Sequence, residues 1–222
     1  MNLREDLNLI KLNEKEKTMA YKALRGYENK LCSGAELGIK EFYEGVYSKQ
    51  ILEIGFGKGD VIKQLSKQGN KCYGIEASKL AIIHADSENI NANLILLNVS
   101  ESKLPYQDGQ FDSVYIYNVI EFLENPLHCF QEIKRVLKAD GELCLCFKDV
   151  GISAYPNFIN HNSIVTFLKQ LYFKVEETNF FDYKGFEYIK AINKKVDRME
   201  ILDALHNDID YEELYVDINE RD

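Results

Sequence analysis

One ten-residue run constrains this chain more than any other: Ile51-Leu52-Glu53-Ile54-Gly55-Phe56-Gly57-Lys58-Gly59-Asp60. Gln50–Ile54 is a short apolar segment of strand length, Gly55–Gly59 is a glycine-rich turn, and Asp60–Lys67 reads as a helix. Glycines in such a turn permit unusual dihedrals and let a ligand approach the backbone closely. The amides opening the following helix can support a negative or polar ligand group. Taken alone, the turn also fits a dinucleotide fold or a plain sharp bend. Its placement between a strand and a helix makes a simple solvent loop the minority reading.

The same alternation continues downstream. Lys71–Ile75 reads as a second strand, Lys79–Asn89 as a helix, Asn93–Leu97 as a third strand and Phe111–Tyr117 as a fourth, rich in β-branched and aromatic residues. Leu127–Leu137 is a helix with Phe130, Ile133, Val136 and Leu137 along one apolar stripe. Lys138–Gly141 ends it, and Glu142–Phe147 supplies a fifth strand. Strands separated by helices indicate a mostly parallel sheet covered on both faces. The rhythm then changes. Asn162–Leu171 is predicted as a helix with Asn160 or Asn162 near its cap. Lys174–Phe181 and Phe186–Asn193 are joined by a link too short for a parallel crossover, so they should form an antiparallel hairpin. Before residue 50, Glu14–Tyr27 and Ala35–Tyr47 have helix-compatible patterns, and the tail holds one more candidate helix, Arg198–Leu205. The expected organisation is N-terminal helical additions over 1–48, an α/β core over 49–195 and an acidic, partly helical tail over 196–222.

Composition narrows the function classes. The 222 residues, 45% of them hydrophobic, suffice for one substantial core. A net charge of -9 disfavours broad electrostatic binding to nucleic acid or an anionic membrane. Lys190, Lys194, Lys195 and Arg198 form a local basic run, but no base-reading motif accompanies it. The beginning of the sequence is polar, and no stretch is apolar for long enough to span a bilayer, so a cytoplasmic, non-membrane protein is expected. The five cysteines include Cys144 and Cys146 on one face of a strand; without a CxxC pair they read as reduced core residues, and no metal site is assigned.

A second motif, Gly74-Ile75-Glu76-Ala77-Ser78, ends the second strand. Glu76 stands where an acidic side chain can accept hydrogen bonds from a ribose diol, or cap the next helix. At this point the chain resembles the class I S-adenosylmethionine-dependent methyltransferases, in particular their broad small-molecule group. The resemblance rests on Glu53, Gly55, Gly57 and Gly59, on Glu76, on Leu104-Pro105-Tyr106 followed by Phe111-Asp112, and on Glu132–Gly141, where Ala139-Asp140 replaces the family's usual Pro-Gly. It covers roughly residues 45–150. It implies a Rossmann-like, mostly parallel seven-stranded sheet closed by the C-terminal hairpin, with S-adenosyl-L-methionine as cofactor and S-adenosyl-L-homocysteine as product. The residues it implies for cofactor binding are Glu53, Gly55, Phe56, Gly57 and Gly59 at the turn, Glu76 and Ala77 at the ribose, Ser100 or Glu101 at the adenine, and Asn118 after the fourth strand. The spacing differs from GxGxxG and from a Walker A turn, which disfavours nicotinamide dinucleotides and nucleoside triphosphates.

The acceptor side carries fewer signals. The family commonly has Glu-His at the positions of Glu121 and Phe122, so the histidine is replaced here. The Asn/Asp-Pro-Pro-aromatic run of adenine-N6 and glutamine methylation is absent. Of the histidines, His161 follows the fifth strand and is the most interesting, yet none is assigned as a base, and the catalytic residue stays unknown. The N-terminal helices and the loop 149–162, with Tyr21, Arg25, Tyr27, Tyr155 and His161, are the expected acceptor cover. The reading is methyl transfer to a small-molecule acceptor by direct in-line displacement, with nucleic acid disfavoured as a partner and the oligomeric state open. Two alternatives stand beside it: a noncatalytic cofactor-binding regulator, and an RNA or protein methyltransferase.

Overall fold

The computed structural model describes residues 44–148, 161–181 and 186–194. Seven strands and four α-helices alternate along them. β1 is Gln50–Ile54, α1 Asp60–Lys67, β2 Lys71–Glu76, α2 Lys79–Ser87, β3 Asn93–Leu96 and β4 Phe111–Tyr117. A short 3-10 turn at Ile120–Phe122 leads to α3, Pro126–Val136, and β5, Leu137–Lys148; α4, His161–Gln170, precedes β6, Phe173–Phe181, and β7, Phe186–Asn193.

The strands form one sheet in the order β3-β2-β1-β4-β5-β7-β6. β1 pairs in parallel with both β2 and β4, and β2–β3 and β4–β5 are also parallel. β7 lies antiparallel between β5 and β6. The mostly parallel sheet and the C-terminal hairpin are therefore those expected. From β1 the chain winds outward to β2 and β3, then returns to lay β4 on the other side. This reversal opens a crevice at the carboxyl ends of β1 and β4.

Side-chain alternation splits the core into two layers. Leu52, Ile54, Val114 and Ile116 face Phe130 and Ile133 of α3 and Ile164 and Leu168 of α4. Ile51, Tyr115 and Tyr117 face the opposite way, toward Val61, Ile62 and Leu65 of α1 and Ile82 and Ala85 of α2. Burial on both faces explains why β1 is apolar after Gln50 apart from Glu53. Cys144 and Cys146 do share one face, the α1/α2 side. Burial pushes the Cys72, Cys129 and Cys144 thiols up to about 12, as suits packing residues rather than reactive ones.

Polar ties hold the ends of the sheet opposite the crevice. Asp112 accepts from the Gln50 backbone amide at 2.7 Å and from Lys138 Nζ at 2.6 Å. Glu142 receives Lys49 at 2.6 Å, Lys190 at 2.9 Å and the Ser113 hydroxyl at 3.1 Å, linking the approach to β1 with β4, β5 and β7. The Leu104-Pro105-Tyr106 segment is bolted to α3: Arg135 donates to the carbonyls of Leu104 and Tyr106 and to Glu132, while Glu132 accepts the Leu104 amide at 2.8 Å.

Several boundaries differ from expectation. α3 starts at Pro126, because the Asn125 side chain accepts the His128 amide and proline suits the first helical turn. Lys138–Gly141 is not a break ahead of the fifth strand but lies within β5. The register against β4 steps from Phe111–Leu137 to Ser113–Glu142, and Asp140 takes a left-handed φ of 60° there. α4 begins at His161, so Asn162 is inside the helix rather than its cap. The candidate helices Glu14–Tyr27 and Arg198–Leu205, nearly all of Ala35–Tyr47, and the residues Tyr21, Arg25, Tyr27, Tyr155 and Asn160 lie outside the described residues.

Candidate functional site

The crevice is a cleft of about 280 Å³ at the carboxyl ends of β3, β2, β1 and β4. Its walls include Ile54, Phe56, Ile75, Leu97, Val99 and Leu123, with polar groups set among them. A mostly apolar concavity with a few fixed polar atoms suits a small ligand, and its size is near the lower end of the usual ~300–1,000 Å³ range.

The glycine turn shapes one wall. The Gly55 amide donates to the Ile75 carbonyl at 2.7 Å, tying the exit of β1 to that of β2. Gly55 has φ 70°, and a Cβ there would stand 2.2 Å from Val119 Cγ2, so only glycine fits between the turn and the segment after β4. Gly57, with φ 54°, has nothing within 4 Å of a Cβ position and faces the open cleft. Gly59 does not line the cleft; it opens α1 and packs against Ile90.

Glu76 acts as a clamp between loops. Its Oε2 accepts the Gly57 amide at 2.9 Å and its Oε1 accepts the Ser78 amide at 2.9 Å. Thus it braces both the glycine turn and the start of α2, whose side-chain cap is Ser78. A carboxylate offers about four acceptor sites, so two bonds leave capacity for a ligand hydroxyl pair.

Glu53 is only 2% exposed. Its Oε2 is buried with no partner among the described residues, while the Ile62 backbone amide donates to the carboxyl. Burial, reinforced by the negative charges of Glu76 and Asp60, pushes its pKa well above the ordinary carboxylate range. Across the β1–β4 boundary, Tyr117 also lines the cleft and its buried hydroxyl likewise has no partner.

On the far side, Ser100 lines the cleft and is buried. Its hydroxyl accepts the Glu124 amide at 3.1 Å, and its own amide donates to Asn98 Oδ1 at 3.1 Å. These bonds fix the turn with Ser100 inward; Glu101 is exposed and lies outside the lining. Asn118 lines the cleft with φ 52° and donates its amide to the Cys146 carbonyl at 2.7 Å. A non-glycine residue held there stores strain of order 1–3 kcal/mol, a common feature of ligand-binding loops. Phe56 and Ala77 complete the wall, and Phe122, 51% exposed, stands at its rim.

The structure therefore gathers Glu53, Gly55, Phe56, Gly57, Glu76, Ala77, Ser100 and Asn118 around one space and leaves Gly59 and Glu101 outside it. Asn98, Asp60 and Tyr117 also line the cleft and are not among the residues that the resemblance implies. The strand period would have put Tyr117 on the same face as Glu53, since Glu53 pairs with Tyr115 and Tyr117 stands two residues on. His161 is at the start of α4, 2.7 Å from Glu187 of β7, and does not line the cleft.

These donor and acceptor sets can be matched to a ligand. Ser100 and Asn98 stand beyond β3, Glu76 at the end of β2, and Glu53 and Tyr117 on β1 and β4. The order suits an elongated molecule with a polar ring at one end, a diol in the middle and a charged group at the other. The orphaned Glu53 carboxyl, the open cradle at Gly57 and the spare acceptors of Glu76 fit S-adenosylmethionine in that direction.

Residues 52–145 match the family described as methyltransferase domain. The chain is 30% identical over 161 residues to an uncharacterized protein of Methanocaldococcus jannaschii, covering 67% of this chain and 71% of that one. It is 26% identical over 125 residues to the ubiquinone biosynthesis O-methyltransferase of Shewanella halifaxensis, covering 54% of this chain and 52% of that enzyme. The chain thus spans about half the length of this named relative. Among solved structures, it superposes on a chain of the complex between the Haloferax volcanii Trm112 methyltransferase activator and a methyltransferase with a TM-score of 0.67. The identity there is 14%, covering 83% of this chain and 100% of the other. Among the described residues, no helix is long and apolar enough to cross a membrane.

Proposed function

Because the chain belongs to the class I S-adenosylmethionine-dependent methyltransferases, we propose that this enzyme methylates a small-molecule acceptor by direct in-line displacement, leaving S-adenosylhomocysteine. The observation that carries the reading is the Glu76 clamp: a carboxylate at the end of β2, held by the Gly57 and Ser78 amides, with acceptor capacity left over. In this reading Glu76 takes the ribose hydroxyls, Gly55 and Gly57 let the cofactor lie against the turn, and Ala77 and Phe56 pack beside it. Ser100 has a hydroxyl suited to the adenine edge. Asn118 orients the region between donor and acceptor.

S-Adenosylmethionine, when bound, supplies an electrophilic methyl carbon on its sulfonium. The protein's share is alignment and exclusion of water. The half-exposed Phe122 at the cleft rim offers an apolar surface to an acceptor. Similarity to the ubiquinone biosynthesis O-methyltransferase supports a small acceptor with a nucleophilic oxygen.

The test is titration calorimetry of S-adenosylhomocysteine against wild type and Glu76→Ala. Saturable binding, weakened about tenfold or more by the substitution, is expected. A folded wild type that binds neither cofactor nor product overturns the reading. If binding holds, a screen of small hydroxyl-bearing acceptors separates an enzyme of this class from a noncatalytic regulator.

A second reading, an RNA or protein methyltransferase that works with an activator, stands beside it, since the chain shares its fold with a chain of the complex between the Trm112 activator and a methyltransferase. Turnover appearing only on addition of a Trm112-type protein would favour it. Turnover of a small acceptor by the chain alone would exclude that dependence.

A further inference from the structure

The cleft runs from beyond β3 across β2 and β1 to the segment after β4, and no described residue of β5 or β7 enters its lining. With a cofactor in that cleft, the place left for an acceptor is over the neighbouring strand ends, those of β5 and β7. The register carries the carboxyl edge on in this direction. The Asn118 amide donates to the Cys146 carbonyl at 2.7 Å, and the next residue, Phe147, pairs with Glu187. Asn118, Phe147 and Glu187 thus form one row across β4, β5 and β7, about 10 Å from end to end at the usual strand spacing.

Glu187 ends that row against an imidazole. His161 Nδ1, at the start of α4, is 2.7 Å from Glu187 Oε2, with the two side chains 14% and 6% exposed. Two residues before Ile189, Glu187 is on the α3/α4 face, where Val119, Ile120 and Leu123 beside the cleft also pack. The pair and the rim therefore stand on the same side of the same edge. The other described histidines are elsewhere. His84 is on α2, which covers the opposite face, and His128 has its Nε2 at the Ser102 carbonyl.

An imidazole is more basic than a carboxylate, so the proton shared by the pair rests on Nδ1 and the basic lone pair of the ring is on Nε2. A carboxylate on Nδ1 holds the ring in that tautomer and offsets the charge when Nε2 takes a proton.

We propose that His161 is the proton acceptor of methyl transfer, that Glu187 is its positioning residue, and that the methyl acceptor carries a neutral hydroxyl. The proposal rests on the methyltransferase reading and deepens it. The hydroxyl oxygen forms the bond to the methyl carbon as the carbon–sulfur bond breaks, and the electron pair of that bond stays on sulfur. The hydroxyl proton passes to His161 Nε2, and the O–H electron pair stays on oxygen. The imidazolium so formed faces the Glu187 carboxylate.

Two measurements test it. Nitrogen-15 NMR of ligand-free wild type, assigned with His161→Gln, is expected to show the ring of His161 protonated on Nδ1, and Glu187→Gln is expected to shift it away from that tautomer. Turnover is then compared on phenol, whose proton must be removed, and on 4-nitrophenol, which is already ionised above neutral pH. His161→Gln is expected to lose about a hundredfold or more in kcat on phenol, the scale of a general base, and at least about tenfold less than that on 4-nitrophenol. Glu187→Gln is expected to show the same selective loss, about tenfold on phenol, and carries the comparison if His161→Gln fails to fold. Equal losses on the two acceptors, or a wild-type ring protonated on Nε2, overturns the base. Wild type that binds S-adenosylhomocysteine in calorimetry yet methylates neither acceptor also overturns it and leaves the cofactor site intact. Wild type that does not bind S-adenosylhomocysteine overturns both readings.

Discussion

Glu53 is a buried carboxyl in the cleft wall whose Oε2 has no partner among the described residues. It is 2% exposed, faces Glu76 of β2 and Asp60 of α1, and has Cys72, Tyr115 and Tyr117 as its other titratable neighbours. Its folded pKa is raised above the ordinary 4.5, chiefly by burial. A carboxyl of this kind costs nothing below its unfolded pKa, and stability is lost as pH rises through the folded value. The melting temperature of ligand-free wild type should therefore fall relative to Glu53→Gln as pH rises from 4.5 toward neutrality. Parallel melting profiles over that span would show that Glu53 titrates normally. The glycine turn between a strand and a helix was legible in the sequence, and in the structure it forms one wall of the cleft with Glu53 in the lining. Tyr117 was not, since an aromatic in a buried strand looks like packing until its hydroxyl is found without a partner. Which of Ser100 and Glu101 lines the cleft also needed coordinates. It is set by two hydrogen bonds, to Asn98 and from Glu124, that no spacing rule encodes.

At the scale of elements, the Leu104–Tyr106 segment and α3 behave as one piece. Arg135, with its side chain 19% exposed, supplies donors to two loop carbonyls and to Glu132 and Asp108. Glu132 returns the tie by accepting the Leu104 amide. Arg135→Ala should cost about 2–3 kcal/mol in chemical denaturation, because Glu132 and two carbonyls lose their shared partner together. A loss under about 0.5 kcal/mol would mean the segment is held by Leu104 and Tyr106 packing alone. Lys134 has a different duty, meeting Asn193 Oδ1 at 2.9 Å while the Asn193 amide donates to the carbonyls of Lys134, Leu137 and Lys138. Element type was readable because apolar periodicity is strong: β1 and α1 fall where the pattern puts them. The start of β5 was misread because Lys138-Ala139-Asp140-Gly141 has turn composition. The chain accommodates those residues as an irregularity inside the strand, with Asp140 left-handed and Lys194 paired to it at 2.7 Å.

Across the whole molecule, Glu142 joins parts that are distant in sequence. Partial burial alone would raise its pKa, but the hydrogen bonds and charges of Lys49 and Lys190 outweigh that and hold it down to about 2. A depressed carboxyl gives stability present above its unfolded pKa and lost as pH falls through the folded one. Wild type should thus lose about 1–2 kcal/mol more than Glu142→Gln between pH 4.5 and pH 2, after discounting for the solvent that reaches the pair. Equal acid sensitivity in denaturant titrations would remove the strut from the account. The global fold was legible because strand and helix alternate and the last two strands have too short a link for a crossover. The hairpin's strand order was not, since β7 inserting between β5 and β6 is decided by tertiary pairing.

The contact between Gly55 and Val119 has a mechanical consequence. With 2.2 Å between Val119 Cγ2 and the place a Cβ would occupy, the turn after β1 and the segment after β4 mesh like two teeth of a gear. One strand end carries the glycine turn, and the other leads toward Phe122 at the rim of the cleft. A side chain at position 55 would have to push the segment after β4 aside, so neither loop can be rebuilt there without the other.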